Sequence, residues 1–258
     1  MNYPVITIAQ MMELDRITMS EAGVSLLQMM ENAGRSLAAV ARYHLGGDLA
    51  GVRILVLTGK GNNGGGGLAA ARHLANGGAA ITLGLSVSPD ALIEAPTRQL
   101  QILAAMGVPG HDQPVSLTDA PRQIAEADLI IDALIGYRLH GSPRPPIAEL
   151  IQMVNASQVD CLSLDGPSGL DLETGNALTP TIRAAATLTL AWPKRGLLES
   201  SAASFTGPLW LADIGIPDWV YEAVGIERGT LFRHGPIVRV TPTDDGWETD
   251  QATGLDLY

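Results

Sequence analysis

Residues 53–74 read RILVLTGKGNNGGGGLAAARHL, and this stretch decides the fold. Arg53 to Leu57 is a short run of Ile, Leu and Val of the kind that buried parallel strands use. Gly59 to Gly67 follows, with six glycines in nine residues, and a helical pattern is expected from about Leu68 to Gly77. Strand, glycine-rich turn and helix in succession open a βαβ unit. Glycine admits positive φ and lets backbone come close to a ligand, while a helix start offers free N–H groups and positive dipole density to an anion. A phosphate-bearing ligand is the chemistry this predicts. Glycine is also the compositional outlier, at 29 of 258 residues against a usual share of about 7%.

Outward from this stretch the alternation continues. Ala80–Leu85, Asp128–Ile131, Cys161–Leu164, Ala186–Leu190 and Leu209–Ala212 read as further strands, with helical patterns at 95–106, 119–126 and 144–156. The order predicts an α/β fold with a mostly parallel sheet covered by helices on both faces. Near the N-terminus, Thr7 and Gln10 have capping-box spacing for a helix to about Asp15. Leu26, Met30, Ala33, Leu37 and Val40 line one face of a longer helix through His44, and its methionines read as core packing. No repeat or linker divides the chain, which predicts one domain over 1–240 and an extended or disordered acidic tail over 241–258. Five acids and no Lys, Arg or His lie in that tail, so the first 240 residues carry −6 of the net −11.

The charge has the wrong sign for holding a nucleic-acid backbone. A lone Cys161 excludes an internal disulfide and a CxxC metal site. Neither a signal-peptide pattern nor an apolar run of membrane-spanning length is present, and the expected location is cytoplasmic.

Ligands of such sheets bind beyond the carboxyl ends of the strands, and three strand ends carry unusual sequences. The first, Gly59–Gly67, satisfies GxGxxG at 59–64, but Leu85–Ser88 after the next strand has no acid for a ribose diol, and no GK[ST] makes it a Walker A loop. The second runs Asp132 to Arg144, where Arg138, His140 and Arg144 are candidate contacts to phosphate or ribose. There Asp132 is as compatible with a loop cap as with a ligand role. The third, Leu164 to Asp171, holds two carboxylates around a Gly-Pro turn; Asp165 is the acid/base candidate and Asp171 the expected turn cap. Asn63, Asp132 and Ser168 add hard oxygen donors that suit a group-I or group-II cation.

With these segments in view, the sequence resembles the YjeF N-terminal domain family of NAD(P)H-hydrate epimerases. The matching stretches, in family order, are LLQMMENAG (26–34), VLTGKGNNGGGGLAAARHL (56–74), DALIG (132–136), LDGPSGLD (164–171), PKRGL (193–197) and ADIGIP (212–217). The resemblance implies a Rossmann-like three-layer sandwich, usually homodimeric, that interconverts the R and S forms of nicotinamide cofactors hydrated at C6. It implies Asn62, Asn63, Gly64, Gly65 and Gly66 as the substrate-phosphate segment, and Gly136, Tyr137, Arg138, Leu139, His140, Gly141 and Ser142 as the second substrate loop. Asp165 is implied at the reacting centre, in contact with substrate. Asn63, Asp132 and Ser168 are implied as ligands of a potassium ion. Lys194, one of two lysines in the chain, matches a family position without an assigned role.

The sequence also departs from the family pattern. Gly66 stands where GNNGGDG has its aspartate, Tyr137 and Arg138 replace a small Thr-Gly pair, His140 replaces a small residue, and Gly166 replaces a β-branched one, which is expected to loosen the turn carrying Asp165. Two functions are compatible with this pattern. One is an active epimerase acting on hydrated NADH or NADPH. The other is a family member with lost or altered chemistry that binds a phosphate-bearing nucleotide or acts in regulation. An ATP-dependent small-molecule kinase is disfavoured, because the kinase-like domain of fused relatives has no counterpart here.

Overall fold

The computed structural model describes residues 2–249. Their elements are α1 (Ile8–Ser20), α2 (Leu26–His44), β1 (Arg53–Thr58), α3 (Asn62–Asn76), β2 (Ala80–Leu85), α4 (Glu94–Ala105), α5 (Ala120–Glu126), β3 (Leu129–Ala133), α6 (Ile147–Ala156), β4 (Cys161–Leu164), β5 (Ala186–Leu190), α7 (Arg195–Leu198), α8 (Ala203–Thr206), β6 (Leu209–Ala212), α9 (Asp218–Ala223), β7 (Ile237–Thr243) and β8 (Gly246–Glu248). The sheet runs β2-β1-β3-β4-β5-β6-β7-β8. Strands β1 to β6 pair in parallel, and β7 and β8 add antiparallel pairs at the far edge.

Alternating side chains of the buried strands feed two cores, as a pleated sheet requires. Ile54, Val56, Leu129 and Ile131 pack with α2, α3 and α4 on one face, while Leu55, Leu57 and Ile130 pack with α5 and α6 on the other. Helices α1 and α9 cover that second face further along, over Leu209, Leu211, Val238 and Val240. The result is the three-layer α/β sandwich expected from the alternation. Among the described residues no helix is long and apolar enough to cross a membrane.

Two expectations change. The first concerns the C-terminal segment: residues 241–248 are not an extended tail but complete the β7–β8 hairpin. Trp247 is fully buried and stacks on Tyr3 with ring centroids 4.7 Å apart, tying the two ends of the domain together. The acids Asp250 and Asp256 lie outside the described residues.

The second concerns the glycine run, which is not a loop. Helix α3 begins at Asn62, six residues before Leu68, so Gly64 to Gly67 form its first turns. None of Gly59, Gly61 or Gly64–Gly67 has positive φ; close approach is what demands glycine here. A Cβ on Gly64 would lie 2.0 Å from the Gly59 carbonyl oxygen, and one on Gly67 would lie 2.5 Å from Ala133 Cβ. On Gly66 it would meet only the Leu164 side chain, at 2.7 Å, and on Gly65 the tip of Met30, at 2.5 Å, with the Pro96 ring at 3.2 Å. A side-chain tip can swing aside and a carbonyl cannot. Alanine also gains about 0.5–1 kcal/mol over glycine inside a helix. Gly64→Ala is therefore expected to cost about 2–3 kcal/mol, Gly67→Ala less, and Gly65→Ala and Gly66→Ala close to nothing. Denaturant melts of the four variants check this order.

Candidate functional site

In the sheet, β2 lies on one side of β1 and β3 on the other, so the winding reverses between β1 and β3. Ligand crevices form at such a switch point, beyond the carboxyl ends of the strands. A cavity of about 850 Å³ opens there. Its walls include Lys60, Asn62, Asn63 and Gly66 after β1, Gly136 to His140, Ser142 and Arg144 after β3, Asp165 after β4, and Lys194 after β5. Met11, Asp15, Met29 and Met30 close it from α1 and α2, so these methionines pack the core and also face the cavity.

Helix α3 points its N-terminus into this space. Its N-cap, Gly61, has no side chain to satisfy the first donors. The first main-chain bond back to the cap is Gly65 N–H to the Gly61 carbonyl, at 3.1 Å. The N–H groups of Asn62, Asn63 and Gly64 are thus the ones left for an anion. Gly65 spends its N–H within the helix, neither Gly64 nor Gly65 lines the cavity, and Gly141, at φ +71°, also falls outside the lining. Lys60 stands beside this helix start.

Across the cavity, Asp165 and Lys194 form a buried ion pair; Asp165 is 3% exposed and Lys194 is 0% exposed. The Lys194 ammonium also donates to the Leu190 carbonyl at 2.8 Å and to Thr189 Oγ1 at 3.3 Å, which uses all three of its donors. The other Asp165 oxygen, Oδ2, accepts the main-chain N–H of Tyr137 at 3.1 Å. Asp165 has φ +68° and Ala191, just before the Trp-Pro-Lys segment, has φ +63°. Among the described residues these are the two non-glycine positions in the left-handed region. One carries the acid and the other leads into the lysine, and such conformations cost on the order of 1–2 kcal/mol each. Gly166 does not loosen this turn: a Cβ there would press on Leu172 at 2.7 Å, so the glycine admits close packing.

Below the cavity floor, Asp132 lies within β3, fully buried, rather than in the loop after it. Its carboxylate accepts from Ser163 Oγ at 2.8 Å, Ser168 N–H at 2.8 Å, Ser168 Oγ at 2.5 Å and Leu134 N–H at 3.2 Å. Burial pushes this carboxyl above the usual range, and the hydrogen bonds from Ser168, Ser163 and Leu134 work against that rise. No Lys, Arg or His among the described residues pairs with it. Asn63 lies against Gly136, and its buried Nδ2 has no hydrogen-bond partner. Asp132 and Ser168 are therefore in direct contact, and Asn63 is on the wall between the first two segments. A buried carboxylate with no cationic partner, the Ser168 hydroxyl and the Asn63 side-chain carbonyl are oxygen donors of the type that suits a hard monovalent cation, whereas the orphaned Asn63 Nδ2 is itself a donor and calls for an acceptor. No group of three His, Cys, Asp or Glu residues positioned to hold a metal occurs among the described residues.

Tyr137 is bulky but does not fill the cavity. Its hydroxyl donates to Asp15 Oδ2 at 2.5 Å and accepts from Arg138 Nε at 3.2 Å.

The sequence profile of the family described as YjeF-related protein N-terminus matches residues 26–196. The chain belongs to this family. A relative named NAD(P)H-hydrate epimerase, from Dehalogenimonas lykanthroporepellens, is 46% identical over 93% of this chain and 94% of its own length. The bifunctional NAD(P)H-hydrate repair enzyme Nnr of Moorella thermoacetica is 38% identical over 88% of this chain, which spans 43% of that longer protein. Among solved structures, yeast ynu0 superposes with a TM-score of 0.78, covering 95% of this chain and 99% of its own at 22% identity, a likeness of fold.

Within this YjeF-related fold, sequence reasoning singles out Lys194 but gives it no role, and it misses Asp15 and Lys60. For the lysines one signal was available: the chain has only two, and both line the same cavity.

Proposed function

We propose that the chain is an NAD(P)H-hydrate epimerase, interconverting the R and S forms of NADH and NADPH hydrated at C6. The observation that carries this reading is a buried Asp165–Lys194 pair on one wall of a cavity whose opposite wall is the uncapped N-terminus of α3. The family relatives named as epimerases support the choice of substrate.

Epimerisation at a hydroxylated carbon needs that carbon to become trigonal and then be attacked on its other face. Cleavage of C6–O needs a proton delivered to the hydroxyl, which leaves as water and gives that proton back on returning from the other face; cleavage of C6–N1 takes the proton from the hydroxyl, leaves a carbonyl at C6 and protonates N1, and ring closure reverses both transfers. Asp165 is the group placed to carry the proton. Lys194 and the Tyr137 N–H fix the two carboxylate oxygens while the substrate turns over. The N–H groups of Asn62, Asn63 and Gly64 hold the pyrophosphate, with Lys60 beside them, and Gly136 to Ser142 wall the nicotinamide side. Asn63, Asp132 and Ser168 would hold potassium, whose charge would offset that of the buried carboxylate. A homodimer is the proposed assembly, for which the exposed Ile102 of α4 and Met106, the residue after it, offer apolar contacts.

Potassium binding has a readout apart from turnover. Replacing choline chloride by KCl is expected to raise the melting temperature by about 2–4 °C, on the order of 1 kcal/mol. Asp132→Asn should remove that shift; an equal shift in the variant excludes this site. Lys60→Ala is expected to raise KM for hydrated NADPH about tenfold with kcat nearly unchanged, because it deletes binding shared by ground and transition states.

One observation favours the second reading, a nucleotide-binding member without the chemistry: Gly66 lines the cavity where the family pattern has an acid. A Cβ at Gly66 meets only the Leu164 side chain, so the backbone there admits a side chain once Leu164 shifts. If the Asp165–Lys194 pair suffices, the natural protein turns over and Gly66→Asp changes kcat by less than about tenfold. Activity that appears only in Gly66→Asp establishes the second reading instead.

A further inference from the structure

We infer that Asp15 is a positioning residue for the site, acting through Tyr137 as a latch that ties helix α1 to the carboxylate of Asp165. This inference rests on the proposed epimerase reading for its catalytic consequence and on geometry alone for the latch.

Tyr137 makes its anchoring bonds at both ends. Its phenol donates to Asp15 Oδ2 at 2.5 Å, and its main-chain N–H donates to Asp165 Oδ2 at 3.1 Å. The ring stands between two cations, with the Lys194 ammonium 5.8 Å and the Arg138 guanidinium 5.4 Å from its centroid. Any displacement of the phenol is therefore felt at both members of the Asp165–Lys194 pair.

Asp15 is a firm anchor. Helix α1 is closed at its start by the Thr7–Gln10 capping box and held to distant segments by Ile8 N–H to Glu173 at 2.6 Å and Gln10 Nε2 to the Val224 carbonyl at 3.2 Å. Met11, Leu14 and Ile17 bury its inner face in the core it shares with α9. Burial pushes the Asp15 carboxyl up, opposed by the hydrogen bond from Tyr137 and by the charges of Lys194 and Arg138.

The segment being latched is loose beyond this point. Beyond a turn at 137–138, residues 138–143 make no main-chain hydrogen bond of good geometry among the described residues, and the next is Ala148 N–H to the Arg144 carbonyl. Ile135 is held by Ser168 Oγ at 2.9 Å, so the second loop has one polar anchor before Tyr137 and none between Tyr137 and Arg144 apart from Arg138 on the phenol. Segments with few such bonds open at low free energy. Cutting the latch frees the loop at the residue that holds Asp165.

The test uses Asp15→Ala, Asp15→Asn, Tyr137→Phe and the Asp15→Ala/Tyr137→Phe double variant of the full chain. In epimerisation of hydrated NADPH, Asp15→Ala and Tyr137→Phe should each lower kcat about tenfold, with KM changed less than threefold. The double variant should fall no further than either single one, since one link is broken in all three. Asp15→Asn keeps an oxygen acceptor for the phenol and should recover most of kcat. A merely structural role of Asp15 would lower the melting temperature without this kcat pattern. Independently of turnover, hydrogen–deuterium exchange at the Ile135 and Tyr137 amides, followed by NMR, should speed up at least tenfold in Asp15→Ala while α6 exchanges as before. Unchanged exchange at those amides, or losses in kcat that multiply in the double variant, overturns the latch. If the natural protein fails to turn over but exchange quickens as described, the latch stands and the epimerase reading falls.

Discussion

Asp165→Asn is expected to lower kcat for epimerisation by about a thousandfold, within the range that a positioned acid–base group supplies. The substitution keeps the shape of the side chain and one oxygen that can accept from Lys194, while its NH2 meets the Tyr137 N–H donor to donor, so that one hydrogen bond at the turn with φ +68° is lost. It also removes the ability to take a proton and give it back. Steady-state turnover of each hydrated epimer, measured on protein whose melting profile shows it folded, checks this. A fall in kcat below tenfold means that another group carries the proton.

Lys194→Met should be the most destabilising change at the site. Methionine fills most of the volume of the lysine stem, so little cavity is created. The loss comes from leaving the Asp165 carboxylate buried with one N–H donor, and from depriving the Leu190 carbonyl and Thr189 Oγ1 of their bonds. Breaking one side of a buried pair costs about 3–5 kcal/mol, whereas replacing both sides by uncharged groups of similar volume is close to neutral. Asp165→Asn/Lys194→Met is accordingly expected to recover most of the stability lost in Lys194→Met and none of the activity. Urea unfolding of the two variants and the natural protein reads this directly. If the double variant is as unstable as the single one, the lysine acts by packing, not by charge.

The sheet is legible because each buried strand is a short, leucine-bearing apolar run, and the expected bounds of β1, β3 and β4 lie within a residue or two of the observed ends. Helix α3 was misplaced for a physical reason. A run of four glycines has the weakest helix propensity short of proline, yet packing against the Gly59 carbonyl, Ala133, Met30 and Leu164 overrides it. The glycines that suggested a flexible cradle are the means by which a rigid helix start reaches the cavity. Asp132 was read as the start of a loop because its charge obscured the end of β3, where hydrogen bonds from Ser163 and Ser168 compensate its burial.

The partners of the site were hidden by distance along the chain. Lys194 meets Asp165 across 29 residues and Tyr137 meets Asp15 across 122, and no local pattern encodes either contact. Likewise Trp247 pairs with Tyr3 at the opposite end of the sequence, although the alternation in Ile237 to Thr243 carried a strand signal.

The central claim is tested most directly by incubating a single purified epimer of hydrated NADPH with the natural protein in potassium buffer and following its conversion by chromatography. The account predicts that R yields S and S yields R, each reaching the same equilibrium mixture, and that Asp165→Asn leaves either epimer as supplied. An epimer that stays unconverted with the natural protein, while the Dehalogenimonas relative converts it under the same conditions, contradicts the account.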